Sequence, residues 1–145
     1  MSDPYWAAST TCRACGEQSL AGSYLCARCR PIMARVETRK DPHGRGRAVN
    51  KQARLRAMER QFDPSINAYR CYFTRVPLVL AAGRRRSAEW AHRTPGDESS
   101  VVLACKLVNR MQTDLTESEF EALVKALARR FEGEPFDESA FPPDR

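Results

Sequence analysis

The clearest pattern of apolar and polar positions in this 145-residue chain lies near its end. There Thr116 and Glu119 have the spacing of a capping box, in which each side chain satisfies a free backbone N–H of the first helical turn. The apolar positions that follow recur every three or four residues, which predicts an amphipathic helix. They are Phe120, Leu123, Val124, Leu127 and Phe131. Gly133 and Pro135 end this predicted helix.

A second helical pattern covers residues 48–62, where apolar and basic positions are interleaved. The apolar positions are Val49, Leu55, Met58 and Phe62. The basic positions are Lys51, Arg54, Arg56 and Arg60. The spacing predicts a helix with a basic surface, and we expect Lys51 and Arg54 to contact a nucleic acid from that surface.

Strand-like patterns lie between these two helices. Residues 69–80 are rich in aromatic and β-branched side chains, which predicts one or two short strands around residues 74–75. Residues 90–94 are a candidate returning strand and are followed by a Pro-Gly turn. A further helix is then predicted to start at Ser99 or Ser100. Its apolar positions are Val101, Val102, Cys105, Val108 and Met111.

These patterns divide the chain into five segments. The segments are a flexible N-terminus (1–11), a four-cysteine module (12–30), a basic connector with a helix (31–62), a second module of strands and helices (63–132) and an acidic tail (133–145). A flexible break is expected at residues 41–47. The tail is expected to be disordered, because it is acidic and proline-rich. The predicted fold class is therefore α+β.

The charge of the chain is unevenly distributed. Residues 13–60 contain twelve Arg and Lys against four Asp and Glu, residues 101–145 contain six against nine, and the net charge is +6. A basic, Arg-rich first half favours DNA as the partner over a merely solvated surface. No apolar run approaches the roughly 18 residues that span a bilayer, and residues 1–11 lack a secretory signal. We therefore expect a soluble, cytoplasmic protein that binds no membrane.

Four of the six cysteines form two C-x-x-C pairs, Cys12 with Cys15 and Cys26 with Cys29. Each pair points two thiolates at one metal ion, and a short hairpin between the pairs completes a tetrahedral site. In a cytosolic chain this spacing favours a metal over disulfides. We expect a zinc ribbon or knuckle whose zinc is structural, because four thiolates leave no open coordination position. A rubredoxin-like iron site is the alternative.

The second module carries a recognisable motif. It contains residues 71–74 (CYFT), then His92, then residues 100–117 (SVVLACKLVNRMQTDLTE). Over residues 69–131 this order resembles the HNH endonuclease family, whose fold is the ββα-metal fold. In that family the last segment has the form A-C-x-x-C-N-x-x-K-x-D-L-T. The positions that match it are Ala104, Cys105, Asn109, Asp114, Leu115 and Thr116.

The resemblance implies a hydrolytic site for DNA. His92 would be the general base that activates a water molecule for attack on phosphorus. Asn109 would help to hold a divalent cation such as Mg²⁺, or would orient the histidine. The cation would neutralise the charge that develops on the scissile phosphate, and a basic surface would hold the DNA backbone. The members of that surface would be Arg84, Arg85, Arg86 and Arg93.

The chain departs from the family pattern at several positions. Ala91 stands where the family has an Asp or Glu before the histidine, and Ser100 and Gln112 stand at the Asn and Lys positions. The nearby carboxylates that could replace the missing acid are Glu89, Asp97 and Glu98. Family members often carry a second zinc knuckle, of which half remains here. Its remaining cysteines, which we expect to pack in the core, are Cys71 and Cys105.

Three functions are consistent with this sequence. The first is an HNH-like, metal-dependent endonuclease that hydrolyses DNA phosphodiester bonds, with a site that departs from the family at Ala91. The second is a non-catalytic, zinc-containing nucleic-acid-binding adaptor that keeps the HNH-like fold. The third is a protein-interaction module that docks onto a larger assembly through its zinc module. The oligomeric state is left open.

Overall fold

The computed structural model describes residues 7–35 and 50–144. The described chain combines short helices with two small sheets and has the four cysteines near its N-terminal end, which confirms the α+β class. The first six residues of the predicted flexible terminus, the predicted break at 41–47 and the predicted start of the helix at 48–62 lie outside the described residues.

Eight helices and strands follow one another in the described residues. They are α1 (Cys29–Met33), α2 (Lys51–Gln61), β1 (Phe62–Asp63), β2 (Ala68–Tyr69), β3 (Ala88–His92), β4 (Val101–Cys105), α3 (Lys106–Gln112) and α4 (Glu117–Phe131). Strand β1 pairs with β2, and β3 pairs with β4, both antiparallel. Within the described ranges, the helices are too short or too polar to cross a membrane.

The β3–β4 hairpin corrects one of the predicted helices. Residues Val101–Cys105, predicted to be helical, form β4, and all five of them are buried. The helix begins only at Lys106, after the strand. A strand buried on both faces is apolar throughout, so its pattern cannot be told from that of a buried helix. The returning strand predicted at residues 90–94 is present, but it runs from Ala88 to His92.

Helix α4 confirms the prediction made from its capping box. The Thr116 hydroxyl accepts a hydrogen bond from the Glu119 backbone N–H (3.1 Å), and the Glu119 carboxylate accepts one from the Thr116 N–H (3.0 Å). After the helix, Gly133 has a φ of +100°, which glycine adopts without steric strain. The tail, for which disorder was predicted, contains a 3₁₀ turn at Glu138–Ala140 that packs against α4.

The segment predicted as strands at residues 69–80 is mostly a loop. Strand β2 ends at Tyr69, and beyond it the isolated bridges Arg70↔Pro77 and Val79↔Ser87 are the ladder contacts of this segment. The chain turns at residues 72–74, and the Arg75 N–H donates to the Cys71 carbonyl at 2.9 Å.

The cysteine module and the β3–β4 sheet share one core. Trp90 on β3 is buried, and its indole N–H donates to the Ile32 carbonyl at 2.9 Å. Arg54 on α2 is also buried, donates to the Met33 and Arg35 carbonyls at 2.8 Å each, and lies 4.8 Å over the Trp90 ring. These carbonyls at the end of α1 need donors. This corrects the expectation that Arg54 lies on an exposed basic face.

Gln61, the last residue of α2, fixes the position of β4. Its side-chain oxygen accepts from the Leu103 N–H at 2.8 Å, and its amide nitrogen donates to the Leu103 carbonyl at 2.6 Å. The same nitrogen donates to the Arg70 carbonyl at 2.9 Å. One buried side chain therefore joins α2 to two other parts of the chain.

Candidate metal centre and the histidine strand

The four predicted cysteine ligands converge on one point. The Sγ atoms of Cys12, Cys15, Cys26 and Cys29 all lie within 4.8 Å of one another, and those of Cys15 and Cys26 are 3.6 Å apart. Four sulfurs at about 2.3 Å from a tetrahedral zinc ion would be about 3.8 Å apart. The group therefore has the ligand type, the number and the approximate spacing to hold one zinc ion.

The backbone of the module brings the two pairs together. The Gly16 N–H donates to the Cys12 carbonyl at 2.9 Å, and Gly16 has a φ of +83°, a conformation that side chains other than glycine rarely adopt. A bridge between Thr11 and Gln18 closes a short hairpin around the first pair. Between the two pairs, the Leu20 N–H donates to the Leu25 carbonyl at 2.9 Å. The second pair leads directly into α1, which begins at Cys29.

Two side chains other than those of the four cysteines contact the sulfur cluster. The Tyr69 hydroxyl lies 2.8 Å from the Cys29 sulfur, and both groups are buried. Hydrogen bonds and the negative charge of Cys15 raise the pKa of Arg28 against the effect of burial, which alone would lower it. Arg28 is held in place by two hydrogen bonds to Asn67, at 3.2 and 3.1 Å. A cation at this position offsets part of the negative charge of four thiolates.

The cysteine thiols differ in acidity. Burial raises the pKa of Cys29, which is fully enclosed. At Cys26, burial acts in the same direction, but hydrogen bonds led by that from the Cys29 backbone N–H lower the pKa to about 7. Metal binding requires all four groups as thiolates, so it must displace the protons of the buried ones.

His92 is the last residue of β3 and faces a carboxylate. Its Nε2 lies 3.3 Å from Glu98 Oε2, and the two side chains are only 12% and 22% exposed. Glu98, one of the three carboxylates suggested as substitutes for the missing acid, comes from the 3₁₀ turn just before β4. Because alternate strand residues share a face, His92 lies on the same face of β3 as the buried Trp90.

Asn109 contacts a different carboxylate. Its amide nitrogen donates from α3 to Glu89 Oε2 on β3 at 2.9 Å. Glu89 and Ala91 lie on the face of β3 opposite to His92, and Ala91 is buried. His92 and Asn109 are thus engaged with separate carboxylates. Among the described residues, the four cysteines are the one group of three or more His, Cys, Asp or Glu that lies close enough to hold a metal ion.

Comparisons of this chain with protein-family models, with curated proteins and with solved structures gave no match. The resemblance to HNH endonucleases therefore rests only on the residues of this chain that match the family pattern.

Two residues at departures from the family pattern stabilise the surroundings of His92. The Ser100 hydroxyl accepts from the Thr94 N–H at 3.1 Å and donates to the Asp97 carbonyl at 2.8 Å, which ties the loop before β4 together. Gln112 is buried, and its amide donates to the His92 carbonyl at 2.9 Å. Sequence reasoning missed both roles, because each depends on how a loop or a helix end folds back onto β3.

The remaining cysteines lie in the core, as expected. Cys71 and Cys105 are both buried, and the Cys105 N–H donates to the Cys71 sulfur at 3.3 Å. Thr74 and Val108 stand where the other two cysteines of a second knuckle would be. The pair therefore packs the junction between the loop after β2 and the end of β4.

Three predicted nucleic-acid contacts lie on one exposed turn. We call residues 81–87 the arginine turn, and its Arg84, Arg85 and Arg86 are all exposed. Ser87 is buried, accepts from the Arg84 N–H at 2.8 Å and donates to the Ala81 carbonyl. The carbonyls of Arg85 and Arg86 accept hydrogen bonds from the start of α3 and from the loop after β2. The turn is therefore fixed to the body while its guanidinium groups face solvent.

The other three predicted contacts differ in exposure, and one of them, Arg54, is buried. Lys51 is exposed at the first residue of α2. Arg93 is half-buried, and its guanidinium lies 5.9 Å from the centre of the Tyr72 ring.

Proposed function

We propose that this protein is a zinc-stabilised, non-catalytic nucleic-acid-binding protein with an HNH-like ββα module. The observation that carries the proposal is the arginine turn, which presents Arg84, Arg85 and Arg86 on a backbone held by hydrogen bonds. Arginine forms bidentate hydrogen bonds with phosphate oxygens. A rigid turn with three such groups suits a phosphodiester backbone better than a random charged surface does. Four thiolates are ligands that suit zinc.

The surroundings of His92 favour binding over catalysis. The histidine is paired with Glu98, Asn109 is paired with Glu89, and these pairs lie on opposite faces of β3. At the position of the family's acidic residue, Ala91 is buried and offers no side-chain oxygen. A nuclease of this type needs the base and the cation beside one phosphate. This arrangement supports a module that keeps the fold and lacks the assembled cation site.

The proposal predicts salt-sensitive binding that depends on the arginine turn. We expect the protein to bind a fluorescently labelled DNA duplex with an affinity that falls steeply as salt rises, by about 0.9 log units per log unit of salt for each phosphate neutralised. Replacing Arg84, Arg85 and Arg86 together by Ala is expected to reduce that slope by about 3 and to weaken binding at low salt at least tenfold, roughly. Fluorescence anisotropy measures both quantities.

The matched control replaces Arg129 and Arg130 by Ala. These two arginines are also exposed, but they lie in the last turn of α4. We expect this variant to bind like the unmodified protein, since total charge alone does not decide the affinity. Binding that is insensitive to salt, or equally weakened by both sets of changes, would count against the arginine turn as the binding surface.

A second candidate function is the HNH-like endonuclease. It is favoured by the order strand, strand, helix from β3 to α3. It is also favoured by the Glu89–Asn109 contact, which places a carboxylate next to the side-chain amide of Asn109. Carboxylate and amide oxygens are ligands for hard divalent cations. In this reading, Glu89 takes over the role of the acid absent at residue 91.

The endonuclease candidate predicts metal-dependent nicking of supercoiled plasmid DNA in the presence of Mg²⁺, Mn²⁺ or Ni²⁺. Glu89→Ala and His92→Ala are both expected to abolish it, and the His92 variant also guards against a contaminating nuclease. Ala91→Glu, checked for folding by circular dichroism, restores the family's acid and should raise the rate. Absence of nicking with every cation, in both the unmodified protein and Ala91→Glu, would eliminate this candidate.

A further inference from the structure

Helix α4 has an apolar stripe that the rest of the described chain covers only in part. Val124, Leu127 and Phe131 are 41%, 39% and 84% exposed. Their spacing of three, four and seven residues places them on one side of the helix. We call these three residues the α4 stripe. The turn Glu138–Ala140 packs against α4, but it leaves Phe131 the most exposed large apolar residue among those described.

The helix is held to the body by other residues. Phe120 and Ala126 are its buried positions, and the Phe120 ring meets the Phe73 ring edge to face, with 5.7 Å between centroids. The fully buried contacts of α4 are therefore made by residues other than the α4 stripe. A run of apolar side chains that a helix exposes after its own packing is satisfied is typical of an interaction surface.

The charges beside the stripe indicate which partner fits it. Glu121 and Lys125 lie on one flank of the stripe and form an ion pair of 2.6 Å within the helix. The first turn of α4 is acidic, with Glu117 and Glu119, and its last turn is basic. The basic residues of the last turn are Arg129 and Arg130. The flank of the stripe therefore carries one negative and one positive side chain, which match those of a second helix that runs in the reverse direction.

We propose that the α4 stripe binds the α4 stripe of a second copy of this chain, with the two helices antiparallel about a two-fold axis near Val124. In this pairing Glu121 of each copy lies opposite Lys125 of the other. Antiparallel helices also place opposite ends of their dipoles together. A parallel pair would bring Glu121 opposite Glu121 and Lys125 opposite Lys125, which is unfavourable. The contact surface is the same on both copies, as two-fold symmetry requires.

The proposal predicts a concentration-dependent dimer of the full chain. Sedimentation equilibrium between about 1 and 200 µM is expected to show a shift from 16.4 kDa to twice that mass. Leu127→Lys is expected to raise the dimer dissociation constant at least about tenfold, since two-fold symmetry places the new charge in the interface twice. The matched control, Ile66→Lys, changes a residue that is 40% exposed on another surface and should leave the constant unchanged.

Charge reversals test the orientation of the helices. Glu121→Lys and Lys125→Glu should each weaken the dimer, and the double variant should restore it, because opposite charges again face each other across the axis. All these positions are exposed, so the variants are expected to fold normally, which circular dichroism verifies. A chain that is monomeric over the whole concentration range, or a dimer unaffected by Leu127→Lys, would overturn the proposal. Failure of the double variant to recover would exclude the antiparallel arrangement.

Discussion

Replacing Cys29 by Ser is expected to remove the bound metal and to lower the free energy of unfolding by more than about 4 kcal/mol. Cys29 is the fully buried ligand and has the Tyr69 hydroxyl beside its sulfur. A serine hydroxyl is a poor ligand for zinc, so three thiolates would remain. The destabilisation should extend to the β3–β4 sheet, because the Trp90 indole N–H donates to the Ile32 carbonyl next to the cysteine module. Elemental analysis gives zinc per chain, and urea unfolding followed by Trp90 fluorescence, in a Trp6→Phe background, gives the free energy.

The control for this prediction is Cys105→Ala. Cys105 is also buried, but it lies outside the four-sulfur cluster. We expect this variant to be less stable because a buried side chain is shortened, and yet to keep one zinc ion per chain. Full zinc content in Cys29→Ser, or loss of zinc in Cys105→Ala, would show that the cluster of four cysteines is not the metal site.

Metal occupancy is also expected to depend on pH. Cys26 has a pKa lowered to about 7 and is therefore partly thiolate at neutral pH. Below that pH, protons compete with the metal for its sulfur, and the still more protonated Cys29 adds to this effect. Zinc should thus be retained at pH 8 and be released progressively as the pH falls. A chromogenic chelator added at each pH measures the released zinc.

Features of this protein that depend on neighbouring residues could be predicted from its sequence. In each C-x-x-C pair, the short turn between the two cysteines sets the distance between their sulfurs. The capping box at Thr116 and Glu119 is equally local, and it is formed as predicted. In both cases the interacting groups are a few residues apart in the sequence, so the sequence pattern by itself identifies the contact.

Features that depend on distant residues were not predictable in this way. The Tyr69 hydroxyl reaches a sulfur 40 residues earlier in the chain, and the Trp90 indole reaches a carbonyl 58 residues earlier. Arg54 has the sequence context of an exposed basic helix, but the carbonyls at the end of α1 draw it into the core. The separation of His92 from Asn109 is also tertiary, since it follows from the strand face that each one meets.

Strand β4 could not be predicted for a different reason. Val101–Cys105 is apolar at every position, and all of it is buried. Without alternation, only its β-branched residues and its length favoured a strand, and the preceding serines favoured a helix start. The residues that pair with this segment determine that it is a strand. β3 pairs with it along its whole length, and a side chain from α2 completes the hydrogen bonds of Leu103.

That side chain is Gln61, which acts as a substitute for a neighbouring strand. It accepts from the Leu103 N–H and donates to the Leu103 carbonyl, as a paired strand residue would. Leu103 is fully buried, so water cannot replace these bonds. The Leu103 carbonyl also accepts from the Tyr72 N–H at 2.9 Å, whereas the Leu103 N–H points at Gln61. Removal of the Gln61 amide should therefore cost most at the Leu103 N–H, which would lose its acceptor, whereas the Leu103 carbonyl would keep its bond from Tyr72.

Gln61→Met is expected to lower the free energy of unfolding by about 2–4 kcal/mol, because methionine keeps the length of the side chain but leaves the buried Leu103 N–H without its acceptor. Gln52→Met is the matched control, since Gln52 is on the same helix and exposed, and it should change the free energy by less than about 0.5 kcal/mol. Urea unfolding of the zinc-loaded proteins measures both. Equal stability of the two variants would mean that packing alone, and not this amide, holds β4 against α2. A large loss confined to Gln61→Met, with zinc content unchanged, would separate the contribution of this amide from that of the metal.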